Sequence, residues 1–253
     1  MSDAVPVRDA ATVVLLRDGV DGLEAWLLTR VIGMVFAAGM SVFPGGRVDD
    51  ADTSVPLAGG DLPRLAERFG CDVSTAHALV GAAARETFEE TGVLLSVPFA
   101  DLSAARADVE LGRVSFADLL RANDLAVDAA ALQPWSRWVT PVGEVRRYDT
   151  RFFVGALPDS AEAQDVTSES SEASWVPIGA AIEQAQRGER QLLPPTMITL
   201  ASLLPFGSVA EVLASSQTRE LAPVRPELRV DGDAVSVELP DGTVLPIPPN
   251  LLP

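Results

Sequence analysis

The run Arg85-Glu86-Thr87-Phe88-Glu89-Glu90-Thr91-Gly92-Val93 constrains this chain more than any other segment. Read as a helix, it puts Glu86, Glu89 and Glu90 at i, i+3 and i+4, so three carboxylates crowd one face. Ala83, Ala84, Thr87 and Phe88 give the opposite face small or apolar groups suited to packing on a sheet. Like charges at these spacings cost a helix roughly 0.2–0.5 kcal/mol per pair, a cost that a bound cation would offset. An oxygen-only donor set suits magnesium or manganese, completed by water and phosphate oxygens. Arg85, beside the cluster, can fix a carboxylate through paired hydrogen bonds. Spacing alone leaves a second reading open, a solvated acidic face closed by a glycine cap.

The flanking pattern mixes strands and helices. Ala10 to Arg17 and Leu23 to Thr29 read as a hairpin around the turn from Asp18 to Gly22. Asp61 to Phe69 reads as a short helix, and Ser74 as the N-cap of the helix that ends near Thr91, with Gly92 in the left-handed position beyond it. A strand over Leu94 to Val97 and a helix over Phe116 to Asn123 follow. Trp135 to Thr140 and Arg147 to Leu157 are two further strands; Ser160 to Ala173 reads as an exposed acidic loop before a strand closed by Trp175-Val176-Pro177. Helices are expected from Ile178 to Arg187, from Pro194 to Leu204 and from Ser208 to Ser216. Alternating residues from Glu227 to Ile247, with turns at Asp231-Gly232 and Asp241-Gly242, form a C-terminal hairpin region. Strands on both sides of a central helix predict an α/β fold, a mixed sheet between helices.

The chain is 253 residues long and 47% hydrophobic, enough for one large core without disulfide or structural metal. We expect a main domain over 1–217 and an extension over 218–253 that packs on it or forms a homodimer interface. Cys71, the one cysteine, excludes an internal disulfide and a cysteine-based zinc site. The net charge is −17, which argues against a nucleic-acid partner. It also repels anionic substrates unless bound cations reverse the field locally. The N-terminus has no signal-peptide pattern, and the charge-free stretch from Val31 to Gly46 is too short and too broken by glycine and proline for a membrane span. A cytoplasmic location without a membrane partner is the expectation.

Phe43-Pro44-Gly45-Gly46, then Asp52, then Arg85 to Val93, resembles the Nudix box, glycine-x5-glutamate-x7-arginine-glutamate-apolar-x-glutamate-glutamate-x-glycine-apolar. The first acidic position is taken by aspartate, and Thr87 stands where the family has an apolar residue. The family spacing puts the arginine at position 60; here it stands at 85, so the box is split by an insertion of 25 residues. The split resembles the peroxisomal coenzyme A diphosphatase branch of the family. Trp135 to Pro141, Arg147 to Phe153 and the Leu193-Pro194-Pro195 turn are similar to that branch too. So is Leu27-Leu28-Thr29 with Gly39 to Gly46, although one residue is missing there and Phe36 replaces a basic residue.

The resemblance implies a Nudix-type sheet sandwiched between helices, with a helical insertion over about 53–79. It implies a metal-dependent hydrolase that cleaves the diphosphate of a small nucleotide derivative, coenzyme A or its acyl form ahead of NADH or ADP-ribose. A Nudix-fold regulator without turnover would be expected to lack a metal glutamate. Carried over by position, Glu86, Glu89 and Glu90 would bind magnesium or manganese with the Gly45 carbonyl, and Glu86 would double as base beside Arg85. A later acidic ligand would come from the loop before Trp175, with Glu169 ahead of Glu172. Arg146, Arg147 and Arg151 are candidates for phosphate, Arg147 first, with Gly46 and Tyr148 also lining the substrate. Trp138 and Tyr148 are candidates for base stacking, and His77 is read as structural.

Overall fold

The computed structural model describes residues 5–31, 39–164, 170–231 and 234–246. Strands β1 (Val7–Gly19) and β2 (Gly22–Arg30) form the expected hairpin, and the short strands β3 (Ser41–Val42) and β4 (Gly45–Arg47) pair with β2 and β1. A 3-10 turn over Asp50–Ser54 leads to β5 (Leu57–Ala58), α1 (Leu62–Phe69) and α2 (Val73–Thr91). Next come β6 (Ser96–Val97), α3 (Arg106–Glu110), α4 (Phe116–Ala122) and β7 (Ala126–Asp128). Strands β8 (Gln133–Val139), β9 (Arg147–Ala156) and β10 (Ser170–Pro177) precede α5 (Ile178–Gln186), α6 (Pro194–Leu203) and α7 (Val209–Ser216). The last strands are β11 (Pro223–Val224), β12 (Glu227–Asp231), β13 (Ala234–Glu238) and β14 (Val244–Pro246).

The main sheet runs β10-β2-β1-β9-β8-β11 and is mixed, because β1 pairs with β9 in parallel while β1–β2, β8–β9 and β2–β10 are antiparallel. Strand β1 shows why there are two layers of helix. Ala11, Val13 and Leu15 enter one apolar cluster with α1, α2 and α4, whereas Val14 and Leu16 enter a second with α5, α6 and α7. Alternate residues of a strand point to opposite faces, so an unbroken apolar run is buried on both sides. This is the Nudix-type sandwich expected.

Four sequence expectations shift. Helix α2 is capped by Asp72, whose carboxylate accepts the Thr75 N–H at 2.7 Å; Ser74 lies inside the first turn. A carboxylate is the better cap because it also meets the positive end of the helix. The strand expected over Leu94 to Val97 shrinks to β6, since Leu94 and Leu95 are spent on the core. The acidic loop is shorter than read, because pairing with β2 carries β10 back to Ser170. The C-terminal strands form their own three-stranded sheet, β12-β13-β14, and β11 lengthens the main sheet instead, beside β8. Leu239 of the extension is buried with the second cluster. Gly232 of the first expected turn lies outside the described residues, as does Phe36. No helix among the described residues is long and apolar enough to cross a membrane.

Candidate functional site

The site is organised by how the split box closes in space. A Cβ on Gly81 of α2 would lie 2.5 Å from the carbonyl oxygen of Asp52, so only glycine lets the turn at Asp50–Ser54 press flat on the helix. One helical turn further on, Arg85 meets the side chain of that same aspartate. Its Nε and Nη2 donate to the two Asp52 carboxylate oxygens at 2.8 and 3.0 Å, a fork-to-fork pair. Asp52 is buried and also accepts the Asp49 N–H at 2.8 Å. The insertion therefore loops out without separating the two halves, which suits the small cost of lengthening a surface connection. His77 belongs to this brace, with its Nε2 at 2.8 Å from the Val55 carbonyl.

The glycine loop closes on the other end of the helix. Gly45 donates its N–H to Glu90 at 2.9 Å. A Cβ on Gly46 would fall 2.4 Å from a Glu86 carboxylate oxygen, so the backbone there is a cradle for that side chain. Thr87 fills the usual apolar position because its buried hydroxyl bonds back to the Ala83 carbonyl at 2.8 Å. Gly92 ends the helix at φ 74°, as expected.

Arg85 is the hub. Besides Asp52, its Nη1 donates to Glu86 at 2.8 Å and makes longer contacts to Glu89 at 3.5 Å, and its Nη2 donates to the Arg47 carbonyl at 3.0 Å. Burial weakens this guanidinium, but the Asp52 hydrogen bonds and the charges of Glu86, Asp52 and Glu89 outweigh it and hold the group above its ordinary pKa. Burial pushes Glu86 up to about 7, against the lowering pull of Arg85. Glu89 is raised as well, again chiefly by burial. Among the described residues, three carboxylates meet this one guanidinium, a surplus of about two negative charges when all are ionised. Among the described residues no acidic, histidine or cysteine side chains already converge as a cage of three. Even so, the donors are all oxygen and already gather around the Arg85 guanidinium, so they fit a hard divalent ion.

The remaining candidates divide. Glu169 lies outside the described residues, and Glu172 is exposed on β10. The Arg147 Nε donates to the Thr140 and Pro141 carbonyls at 3.3 and 3.1 Å and so closes the β8–β9 turn. Arg151 is buried, paired with Asp9 and, at 3.4 Å, with Asp149, to which Arg137 also binds at 2.7 Å. Neither arginine is brought to the glutamates. Trp138 is buried in the second cluster, whereas Tyr148 and Gly46 are half-buried and Arg146 is exposed. Arg106 of α3 was not foreseen: its Nη1 donates to the Glu89 carbonyl and to Glu110, at 2.8 and 2.6 Å, which ties down the last turn of α2. The spacing of Arg106 and Glu110, four apart on a helix, was the available signal. A cavity of about 290 Å³ lies between α1 and Ala129 to Pro134, with no helix glutamate in its lining.

A mixed sheet between helices, with a glycine loop against a glutamate-bearing helix, defines the Nudix hydrolase class. The crystal structure of a NUDIX hydrolase from Alicyclobacillus acidocaldarius superposes with a TM-score of 0.66 at 26% identity, covering 83% of this chain and 96% of that one. The NUDT19 Nudix domain family model matches residues 64–203, and the chain belongs to that family of Nudix hydrolases. It is 29% identical to the acyl-coenzyme A diphosphatase NUDT19 of Gallus gallus, covering 85% of this chain and 72% of that protein. It is also 29% identical to the putative nudix hydrolase 7 of Caenorhabditis elegans, over 78% of this chain and 60% of that protein.

Proposed function

We propose that this enzyme hydrolyses the diphosphate linkage of a nucleotide derivative, with coenzyme A or an acyl-coenzyme A as substrate and magnesium or manganese as cofactor. The observation that carries the reading is the excess of buried carboxylate around Arg85, held against the Gly45–Gly46 loop. The similarity to an acyl-coenzyme A diphosphatase supports the substrate class. The reading assigns Glu86, Glu89 and Glu90 to hold the cation, with the Gly45 carbonyl beside them. When bound, the cation supplies charge to neutralise the diphosphate and lowers the pKa of water.

The chain's own groups do the rest. Glu86 takes up a proton near neutral pH, which suits a general base. Arg85, braced by Asp52, keeps Glu86 and Glu89 oriented before the cation arrives. Gly46, without a side chain, lets the Glu86 carboxylate lie directly against the loop backbone. Turnover of coenzyme A, NADH and ADP-ribose with magnesium or manganese, read by product mass, tests the proposal. Cleavage of coenzyme A to 4'-phosphopantetheine and adenosine 3',5'-bisphosphate is expected to dominate. Faster turnover of NADH would overturn the substrate, and turnover surviving a chelator would overturn the metal.

A further inference from the structure

The strand arginines that residue type alone suggests for phosphate, Arg147 and Arg151, occupy odd positions of β9 and are spent on carbonyls and carboxylates. The even positions of the same register face the other way. Pairing sets Arg8 of β1 opposite Tyr148 of β9, and Ala10 opposite both Thr150 of β9 and Arg47 of β4. Directly paired residues share a face, as do residues two apart on one strand. Arg8, Arg47, Tyr148 and Thr150 therefore stand together across three adjacent strands. Helices α5, α6 and α7 cover this face farther along, over Val14, Leu16 and Val154. At this end it is open: Arg8 and Arg47 are exposed, and Tyr148 and Thr150 half-buried.

The charge of the patch is unusual for this chain. Arg8 has no ion pair among the described residues, and Arg47 has one exposed pair, with Asp49 at 2.5 Å. Arg47 also interacts electrostatically with Tyr148 and, after Asp49, with Asp50. In a protein of net charge −17, such cations are where an anion can be held. The patch adjoins the glutamate site, because Arg47 follows Gly46 and its carbonyl accepts from Arg85. Yet the side chains of Arg8 and Arg47 lie on the opposite face of the sheet from the Gly46 cradle, and their Cα atoms are about 8 Å apart by strand geometry. A group held between them is thus separate from the diphosphate held by the glutamates.

Building on the diphosphatase reading, we propose that Arg8, Arg47 and Tyr148 hold the nucleotide end of the substrate. The Tyr148 ring stacks on the base, and the two guanidiniums bind a phosphate outside the linkage that is cut. The enzyme then selects nucleotides with a third phosphate, as coenzyme A has and its 3'-dephospho form lacks.

Calorimetry with adenosine 3',5'-bisphosphate and adenosine 5'-monophosphate, without metal, separates the two phosphates. The wild type is expected to prefer the bisphosphate about tenfold, and the double variant Arg8→Gln/Arg47→Gln to lose that preference. The ratio of kcat/KM for coenzyme A over 3'-dephospho-coenzyme A is expected to fall by a similar factor, through KM. Tyr148→Leu is expected to weaken both probes and Tyr148→Phe to restore them, with Arg187→Gln as surface-charge control. A wild type with no preference overturns the proposal, and so does a preference that survives the double variant. Equal weakening of both probes by the double variant also overturns it, since the arginines would then address the phosphate of the cleaved linkage. If no diphosphate is turned over but the preference exists and vanishes in the double variant, the diphosphatase reading fails and the binding face stands.

Discussion

Two arginine–carboxylate networks lie on the α2 side of the main sheet, and they differ in charge balance. Around Arg137 and Arg151 the count is even: two guanidiniums meet Asp149 and Asp9, and Arg137 also caps the Phe69 carbonyl at 2.6 Å. Around Arg85 one guanidinium meets Asp52, Glu86 and Glu89. A balanced network is a brace, because each buried charge has its counter-charge. An unbalanced one is stable only as far as protons or a cation make up the difference. Residue types do not separate a site from a brace, whereas the surplus of charge does.

The largest expected effect comes from removing charge at the surplus. Glu86→Gln should lower kcat for the best diphosphate substrate by about 100- to 10,000-fold, the range for losing a general base, while the protein stays folded. Activity within tenfold of wild type, measured at saturating metal, would return the acidic face to the solvated reading. In the balanced network the same kind of change should act on stability instead. Asp149→Asn leaves Arg137 without its carboxylate and Arg151 with Asp9 only, an expected loss of about 2–4 kcal/mol in urea unfolding. Its kcat per folded molecule should stay within about threefold, and a loss of turnover without loss of stability would show that this network serves the chemistry.

How far the sequence carried these distinctions depends on the range of each interaction. The hairpin of β1 and β2, the extent of α2 and its glycine stop were legible because period and caps are local signals. Asp52 could be named from the motif but not given a role, since its partnership with Arg85 spans the insertion and depends on Gly81, which carries no motif weight. Ser74 was the wrong cap because two acceptors stood within two residues and only the fold chose Asp72. Arg147 and Arg151 were attractive by residue type, and the parity that turns Arg8 and Arg47 toward open surface appears only once β1, β4 and β9 are in register. Arg106 escaped because its partner is a backbone carbonyl at a helix end that sequence does not place beside α3.

The smallest effect is the one that tests the surplus most directly, because it needs neither substrate nor metal. Glu86 is held near 7 in the folded protein, against 4.5 when free. The native state therefore keeps a proton that the unfolded chain has lost between those two values, and linkage makes stability fall as pH rises through that window. The full stability is present below about 4.5 and the loss is complete above about 7. Glu89, raised in the same direction, deepens the slope. With a chelator present, urea unfolding should give a wild type less stable at pH 8 than at pH 5 by an order of 1–3 kcal/mol from Glu86. Glu86→Gln should remove most of that difference, because an amide has no charge to desolvate. Parallel pH profiles for wild type and Glu86→Gln would show that the Arg85 cluster carries no uncompensated charge, and the contrast between the two networks would be lost.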